Sequence, residues 1–190
     1  GGGRHFYLPE EMGGKRDDGL NLYEQVESTQ TLLTHKDQLD SVDLTTTKKV
    51  IGLFADEHLR DIEKPDNHAS EPATKDMLDF AIKRSEALMQ NGCRGSFIMV
   101  EGSQVDWAGH ANSIDYLVRE MEDFEGAVVL AKSYAEQNKE TLVIVTADHE
   151  TGGLLIEPLK PTAYTAPEVK FSYNTGIGYG SHTGVPVPVY

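Results

Sequence analysis

The chain has 190 residues, a formal net charge of -14 and a hydrophobic content of 38%. This length is sufficient for a domain with a substantial core, and the acidic balance is the opposite of the one that nucleic-acid binding requires, so a nucleic-acid partner is not expected. The single cysteine, Cys93, excludes an internal disulfide framework, and no apolar run is long enough for a transmembrane segment. The negative charge fits either a solvated acidic surface or bound cations that offset part of it.

The first half of the chain is predicted to alternate helices and strands. A helix is expected over about residues 22–33, followed by a short apolar strand over 50–54. Apolar residues between Met77 and Met89 recur at helical spacing and end at Gly92, which predicts a second helix. Residues 95–100 form another apolar run without polar alternation, as in strands that are covered on both faces.

The second half continues the same order. Apolar residues from Ile114 to Ala135 alternate spacings of three and four, with Asn112 or Ser113 as the cap of the predicted helix. Residues 141–147 are the strongest strand candidate, and 157–180 are expected to be irregular with one short strand at 169–173. The order predicts an α/β fold, a three-layer α/β/α sandwich whose mostly parallel central sheet contains the strands near Val50, Phe97 and Val143, in a single domain over 1–190.

Charged side chains follow two of these predicted strands. Glu101 ends one, and Asp148 and His149 end another. Because ligands collect at the carboxyl ends of strands in open α/β sheets, the two groups are expected to converge. Each position also has a simpler interpretation: Glu101 as an ordinary strand-end acid, and Asp148-His149 as the exit of the chain to solvent.

Asp106 and His110 are four residues apart, so they share one face if this segment is helical. A carboxylate and an imidazole on one face can bind one Zn²⁺, although such a pair also arises by chance on surfaces. Gly102 and Gly109 would permit tight turns on either side of Asp106. A further imidazole, His182, lies in Ser181-His182-Thr183-Gly184, whereas His5, His35, His58 and His68 have no such companions and are taken as surface residues.

Mixed carboxylate and imidazole ligands without a thiolate favour Zn²⁺ or a similar transition ion. An additional all-oxygen corner around Glu101 would suit Mg²⁺. The ligand types leave Co²⁺ and Mn²⁺ open as alternatives.

Three segments of the chain together resemble the alkaline phosphatase family. They are Val100-Glu101-Gly102 with Asp106-x-x-x-His110-Ala111-Asn112, then 143–149 (Val-Ile-Val-Thr-Ala-Asp-His), then Ser181-His182-Thr183-Gly184. The resemblance implies an alkaline-phosphatase-like fold that is incomplete here, with the chain as a portion of a larger catalytic domain, truncated at both ends.

The resemblance also implies a role for each matching residue. Asp106, His110 and His182 would hold one zinc ion, Asp148 and His149 a second, and Glu101 a magnesium ion, for a total of two Zn²⁺ and one Mg²⁺. Trp107 would face the phosphate of the substrate, or is simply a packed or surface aromatic residue. The family's serine nucleophile and phosphate-binding arginine have no counterpart in this chain, so no catalytic side chain is assigned.

These features predict that the parent protein is a metal-dependent phosphate monoester hydrolase and that the isolated chain is inactive. Two alternatives remain: another enzyme of the same superfamily, such as a phosphodiesterase or phosphomutase, or a non-catalytic metal-binding fragment. For the parent, the family resemblance further implies a homodimer and a periplasmic or extracellular location.

Overall fold

The computed structural model describes residues 1–62, 70–159, 169–176 and 178–190. The chain divides into two compact units, Gly1–Val100 and Glu101–Tyr190. Each unit is a group of residues that pack mainly against one another. The single domain expected over 1–190 stays a prediction. No helix within the described ranges is both long and apolar enough to cross a membrane.

The described residues of the first unit form two α-helices and one pair of strands. In chain order these are α1 (Leu22–Thr29), β1 (Thr31–Leu33), β2 (Val50–Gly52) and α2 (Thr74–Gln90), and three short 3-10 helices lie at Arg4–Tyr7, Glu10–Met12 and Lys36–Ser41. Strands β1 and β2 run parallel, with Leu32 opposite Ile51. The buried apolar side chains of this unit are Val26, Leu33, Leu53, Phe54, Ala55, Leu78 and Ile82.

The predicted helix over 22–33 is wrong in its second part. Asn21 caps α1 by accepting a hydrogen bond from the Glu24 amide, but Gln30 is extended and the next three residues form β1. The reason is tertiary: Leu33 is buried and its carbonyl oxygen accepts a hydrogen bond from the Leu53 amide at 2.8 Å. Pairing with β2 therefore overrides the helical periodicity, which is a weak local preference.

The second predicted helix is confirmed as α2. Asp76 stabilises its first turn. The Asp76 carboxylate accepts a hydrogen bond from the Ala73 amide at 2.9 Å and forms an ion pair with the Lys36 ammonium at 2.5 Å. Gly92, two residues after the helix, has a φ of +102°, the left-handed conformation that commonly ends helices and that glycine adopts most easily.

In the second unit, the part that the structure describes forms two helices and two strand pairs. Helices α3 (Gln104–His110) and α4 (Ile114–Gln137) pack against each other. Strand β3 (Glu150–Thr151) pairs antiparallel with β6 (His182–Thr183), and β4 (Leu155–Pro158) pairs antiparallel with β5 (Val169–Ser172). The Ser113 side chain accepts the Tyr116 amide at the start of α4, which confirms this helix and one of its two predicted caps.

Two of the predicted central strands form no ladder in the described part of the chain. Residues 95–100 form no strand. Residues 141–147 are joined to 188–190 by a bridge between Thr146 and Val189, by reciprocal bonds between Val145 and Tyr190 and by a bond from the Thr146 hydroxyl to the Pro188 carbonyl oxygen. Each sheet among the described residues has two strands, and the runs 95–100 and 141–147 belong to none of them, so the expected central sheet is incomplete here. A strand needs a hydrogen-bonded neighbour, and these runs instead leave Phe97 92% and Leu142 82% exposed.

The predicted connection over 157–180 is more regular than expected at its ends. It begins inside β4, and its predicted short strand at 169–173 is confirmed as β5. Residues 160–168 and Ile177 of this connection lie outside the described residues.

Candidate metal centre

Helix α3 places Asp106 and His110 side by side. The Nε2 atom of His110 lies 3.4 Å from Oδ2 of Asp106, as the four-residue spacing predicts for one helical face. Both side chains are partly buried, while Ala108 and Gly109 between them are fully enclosed. The helix thus buries its small residues and holds the two potential ligands at the edge of the packed region.

His182 joins these two residues from 72 positions further along the chain. Its Nε2 atom lies 3.1 Å from Nε2 of His110 and 3.3 Å from Oδ1 of Asp106. Ligand atoms about 2.0–2.1 Å from a tetrahedral zinc ion are about 3.3 Å from one another. The two distances from His182 are close to that value, whereas His110 lies nearest the other carboxylate oxygen of Asp106. The donor set of one carboxylate and two imidazoles fits zinc.

A backbone carbonyl holds the ring of His110 in place. Nδ1 of His110 lies 2.7 Å from the carbonyl oxygen of Gly180, and the ring stacks on Tyr179 with centroids 4.7 Å apart. A carbonyl oxygen only accepts, so Nδ1 carries the proton and Nε2 of a neutral imidazole keeps its lone pair. This is the arrangement by which metal-binding histidines are usually oriented.

His149 lies against the same group. Its ring stacks on that of His182 with centroids 3.6 Å apart, and its Nδ1 is 3.1 Å from the hydroxyl oxygen of Thr151. Its neighbour Asp148 has a side chain that is 88% exposed, with Oδ2 3.3 Å from Nε2 of His149. The structure thus brings His149 to the centre while the Asp148 carboxylate stands at its solvent edge.

Two other residues named from the sequence take no part in the three-residue group. Glu101 is exposed and, like Asp148, does not belong to the cluster of Asp106, His110 and His182, the group of potential metal ligands found among the described residues. Trp107 is 46% exposed. Of the remaining histidines, His5, His35 and His58 lie in the Gly1–Val100 unit, and His68 lies outside the described residues.

The interpretation of Gly109 as a turn residue is wrong, whereas Gly102 does begin the turn before α3, where its carbonyl oxygen accepts a hydrogen bond from the Val105 amide at 3.2 Å. Gly109 lies within α3, and a methyl group on it would stand 2.9 Å from the carbonyl oxygen of Thr151. A methyl on Gly102 would stand 2.9 Å from the ring of Phe124 in α4. Both glycines are therefore required for close packing.

Gly109 belongs to a junction of three glycines behind the histidines. A methyl on Gly180 would meet the Gly109 carbonyl oxygen at 2.8 Å and the Gly152 Cα at 3.1 Å, and one on Gly152 would meet the ring of Tyr173 at 2.7 Å. We call Gly109, Gly152 and Gly180 the glycine junction. It lets the segments that carry His110, His149 and His182 approach through their backbones.

Two residues at this centre were missed by the sequence analysis, Thr151 and Glu150. Thr151 donates a hydrogen bond from its hydroxyl to Oδ1 of Asp106 at 2.6 Å. Glu150 accepts hydrogen bonds from the amides of Gly153 and Leu154 and from the Thr183 hydroxyl. One feature of the sequence could have indicated Thr151. Successive side chains of an extended chain point to opposite faces, so Thr151 falls on the face of His149 and Glu150 on the other.

Comparisons with known proteins agree on one family. The sequence model described as alkaline phosphatase matches residues 1–190. The chain is 42% identical over 134 residues to alkaline phosphatase 3 of Bacillus subtilis, an alignment that covers 70% of this chain and 26% of that protein.

Solved structures show the same likeness. Alkaline phosphatase from the Antarctic bacterium TAB5 matches with a TM-score of 0.74 and 32% identity, over 100% of this chain and 52% of that one. A substituted form of the TAB5 enzyme, described as having Mg bound in its M3 site, matches with the same TM-score and 30% identity, over 100% of this chain and 51% of that one. The chain therefore has the predicted α/β fold and spans about half the length of these structures.

Proposed function

The chain belongs to the alkaline phosphatase family, and on that premise we propose that it carries metal ligands of a phosphate monoester hydrolase. The observation that supports this most directly is the convergence of Asp106, His110 and His182, whose ligand atoms lie within 4.8 Å of one another. One carboxylate and two imidazoles gathered at this distance suit one tetrahedral ion. A divalent ion held there would offset the charge of a phosphate and lower the pKa of a bound water.

The full proposed ion set is two Zn²⁺ and one Mg²⁺. Asp106, His110 and His182 would hold the first zinc ion, Asp148 and His149 the second, and Glu101 the magnesium ion. The stacking of His149 on His182 supports neighbouring zinc sites, because it brings the two ligand groups into contact. Magnesium is supported by the TAB5 enzyme form that is described with Mg bound.

The remaining parts of the reaction are proposed from the family resemblance and from the chemistry of the reaction. Trp107, half-exposed on α3 beside Asp106, is proposed to face the substrate phosphate. Hydrolysis through a phosphoenzyme requires a positioned nucleophile, and none of the ten serines here has a family-like nucleophile context. The nucleophile is therefore proposed to belong to polypeptide outside these 190 residues, and the chain alone is expected to show no appreciable turnover.

The proposal has two rivals. Another enzyme of the superfamily, a phosphodiesterase or phosphomutase, could use a similar ligand set, whereas a fragment that binds metal without catalysis would explain the absent nucleophile context. The names of the matched relatives favour the monoesterase.

The test compares this chain with a full-length protein that contains it. Both are titrated with Zn²⁺ by calorimetry and assayed at alkaline pH with a chromogenic phosphate monoester and a matched diester, with His182→Ala as the control. We expect weak or partial zinc binding and no turnover for the chain, and monoester hydrolysis by the longer protein that His182→Ala removes. Diester hydrolysis alone would favour the phosphodiesterase, and robust turnover by the chain would overturn the proposed incompleteness.

A homodimeric state and a periplasmic or extracellular location are proposed for the longer protein from family membership alone. Sedimentation of the purified protein and fractionation of the cells that make it would test them.

A further inference from the structure

The Thr151 hydroxyl touches two potential ligand groups at once. Its oxygen lies 2.6 Å from Oδ1 of Asp106 and 3.1 Å from Nδ1 of His149. Asp106 belongs to the cluster with His110 and His182, whereas His149 belongs to the proposed second site. Thr151 is thus a non-ligand side chain that contacts both groups.

The direction of these two hydrogen bonds follows from the donors available. An ionised carboxylate only accepts, so the single hydroxyl proton of Thr151 must point to Asp106. The hydroxyl oxygen then meets His149 as an acceptor, which requires a proton on Nδ1 of His149. In the neutral ring this leaves Nε2 unprotonated, 3.3 Å from Oδ2 of Asp148, so the two proposed ligands of the second site each offer a lone pair.

We propose that Thr151 is a positioning residue that fixes the carboxylate of Asp106 and the tautomer of His149 together. The inference rests on the proposed function, because positioning matters only if these side chains bind metal. It predicts that one hydroxyl group contributes to the metal affinity of both sites. Residues that orient metal ligands in this way typically change metal affinity by about 10–100-fold when they are altered.

The packing of Thr151 keeps the hydroxyl in this orientation. The other side of the residue faces Gly109, where an added methyl would lie 3.0 Å from Cβ and 3.1 Å from Cγ2 of Thr151. The methyl group of Thr151 thus fills the space at Gly109 while the hydroxyl points to the ligands. Substitutions can therefore test the shape of the Thr151 side chain and the hydrogen bonds of its hydroxyl separately.

The test uses two variants of the 190-residue chain. Thr151→Val keeps the shape and removes the hydroxyl, whereas Thr151→Ser keeps the hydroxyl and removes the methyl. The matched control is Thr45→Val, because the Thr45 hydroxyl also donates to a carboxylate, Oδ1 of Asp43 at 2.7 Å, in the other compact unit. Circular dichroism establishes that each variant is folded.

Two readouts are needed. Zinc calorimetry and the visible spectrum of the Co²⁺ form report the ligand geometry, and ¹⁵N NMR of the imidazole nitrogens reports the tautomer of His149 without metal. We expect Thr151→Val to lower zinc affinity by about 10–100-fold, to alter the Co²⁺ spectrum and to make the His149 tautomers mix. Thr151→Ser and Thr45→Val should resemble the native chain in zinc affinity, in the Co²⁺ spectrum and in the His149 tautomer.

The outcomes separate this inference from the proposed function. The positioning role would be overturned if Thr151→Val kept the native zinc affinity and the native His149 tautomer. It would also be overturned if Thr151→Ser and Thr151→Val lost zinc affinity equally. If the native chain binds neither ion, the proposed function is in question, but the metal-free NMR still decides the inference: a native His149 protonated at Nε2 overturns it. If Thr151→Val does not fold, the metal-free NMR spectrum of the native chain still tests the inference through the tautomer of His149.

Discussion

The imidazole rings of His149 and His182 stack with their centroids 3.6 Å apart and their planes inclined at 23°. His149 directly precedes β3 and His182 begins β6, so the antiparallel pairing of these strands sets the two rings face to face. A short ladder of two residues on each strand thus controls whether the two ligand groups meet.

Removal of the His182 imidazole should weaken zinc binding more than removal of any outer contact. Because outer contacts are typically worth about 10–100-fold in metal affinity, His182→Ala is expected to cost at least about 100-fold. Calorimetry with Zn²⁺ measures this, and His35→Ala is the control, since His35 lies in the other unit and outside the cluster. Unchanged affinity in His182→Ala would mean that the three atoms do not share an ion.

A methyl group in the glycine junction should destabilise the second unit. Alanine is favoured over glycine in a helix by about 1 kcal/mol, but overpacking costs about 1–3 kcal/mol, so Gly109→Ala is expected to lose about 1 kcal/mol net. Urea unfolding measures this change.

The control for this substitution is Gly95→Ala, because nothing lies within 4 Å of a methyl group at Gly95. It should not lower the free energy of unfolding, because alanine in open space only restricts the unfolded chain. A Gly109→Ala variant more stable than the native chain would show that the junction can open without cost.

The Glu150 carboxylate should be needed for the β3–β6 ladder. It accepts three hydrogen bonds, from the Gly153 amide at 3.2 Å, the Leu154 amide at 3.0 Å and the Thr183 hydroxyl. Glu150→Gln replaces one acceptor oxygen with a donor, so at least one partner is left unpaired, at a cost of about 1–3 kcal/mol.

Urea unfolding and hydrogen exchange at the His182 and Thr183 amides measure this loss. Glu157→Gln, at an exposed position of β4, is the control and should behave as the native chain does. Unaltered exchange in Glu150→Gln would show that the ladder holds without the carboxylate.

The Tyr173 phenol should make stability depend on alkaline pH. Desolvation by burial raises the pKa of Tyr173 above its ordinary value of 10.0, and its hydroxyl oxygen has no hydrogen-bond partner among the described residues. The folded state thus holds this proton more tightly than the unfolded state does. The resulting stability is fully present below pH 10 and declines as pH rises toward the higher pKa of the folded state.

Tyr173→Phe removes both the unpaired hydroxyl and its ionisation. The variant should be at least as stable as the native chain at neutral pH, because loss of an unsatisfied polar group costs little. It should also lose less stability above pH 10, as measured by thermal unfolding over a series of pH values. Identical pH profiles for the two proteins would contradict the burial of the phenol.

The sequence predicted the parts of the fold that depend on local periodicity. Helices α2 and α4 follow from apolar residues at helical spacing, and Asp106 and His110 meet because they are four residues apart on a helix. The run 141–147 failed as a central strand because strand formation depends on a neighbour elsewhere in the chain. Residues 31–33 failed as helix for the same reason, since pairing with β2 decided their conformation.

The centre itself was only partly predictable from residue types. His182 is 72 residues from His110 and approaches through a two-residue ladder that no sequence pattern reveals, so it was included by family resemblance. Thr151 and the Gly180 carbonyl were missed because neither is a ligand type. Their effect is to orient ligands, which becomes visible only when distances are known.

The contact between His110 and His182 has a consequence for how the chain resists unfolding. The two Nε2 atoms are 3.1 Å apart, and an ion bound to both would cross-link positions 72 residues apart in a chain whose single cysteine cannot form an internal disulfide. Loop-closure entropy assigns about 4 kcal/mol to a permanent link of that span. A bound ion would then act as a reversible cross-link, and its removal by a chelator should lower the melting temperature of the chain.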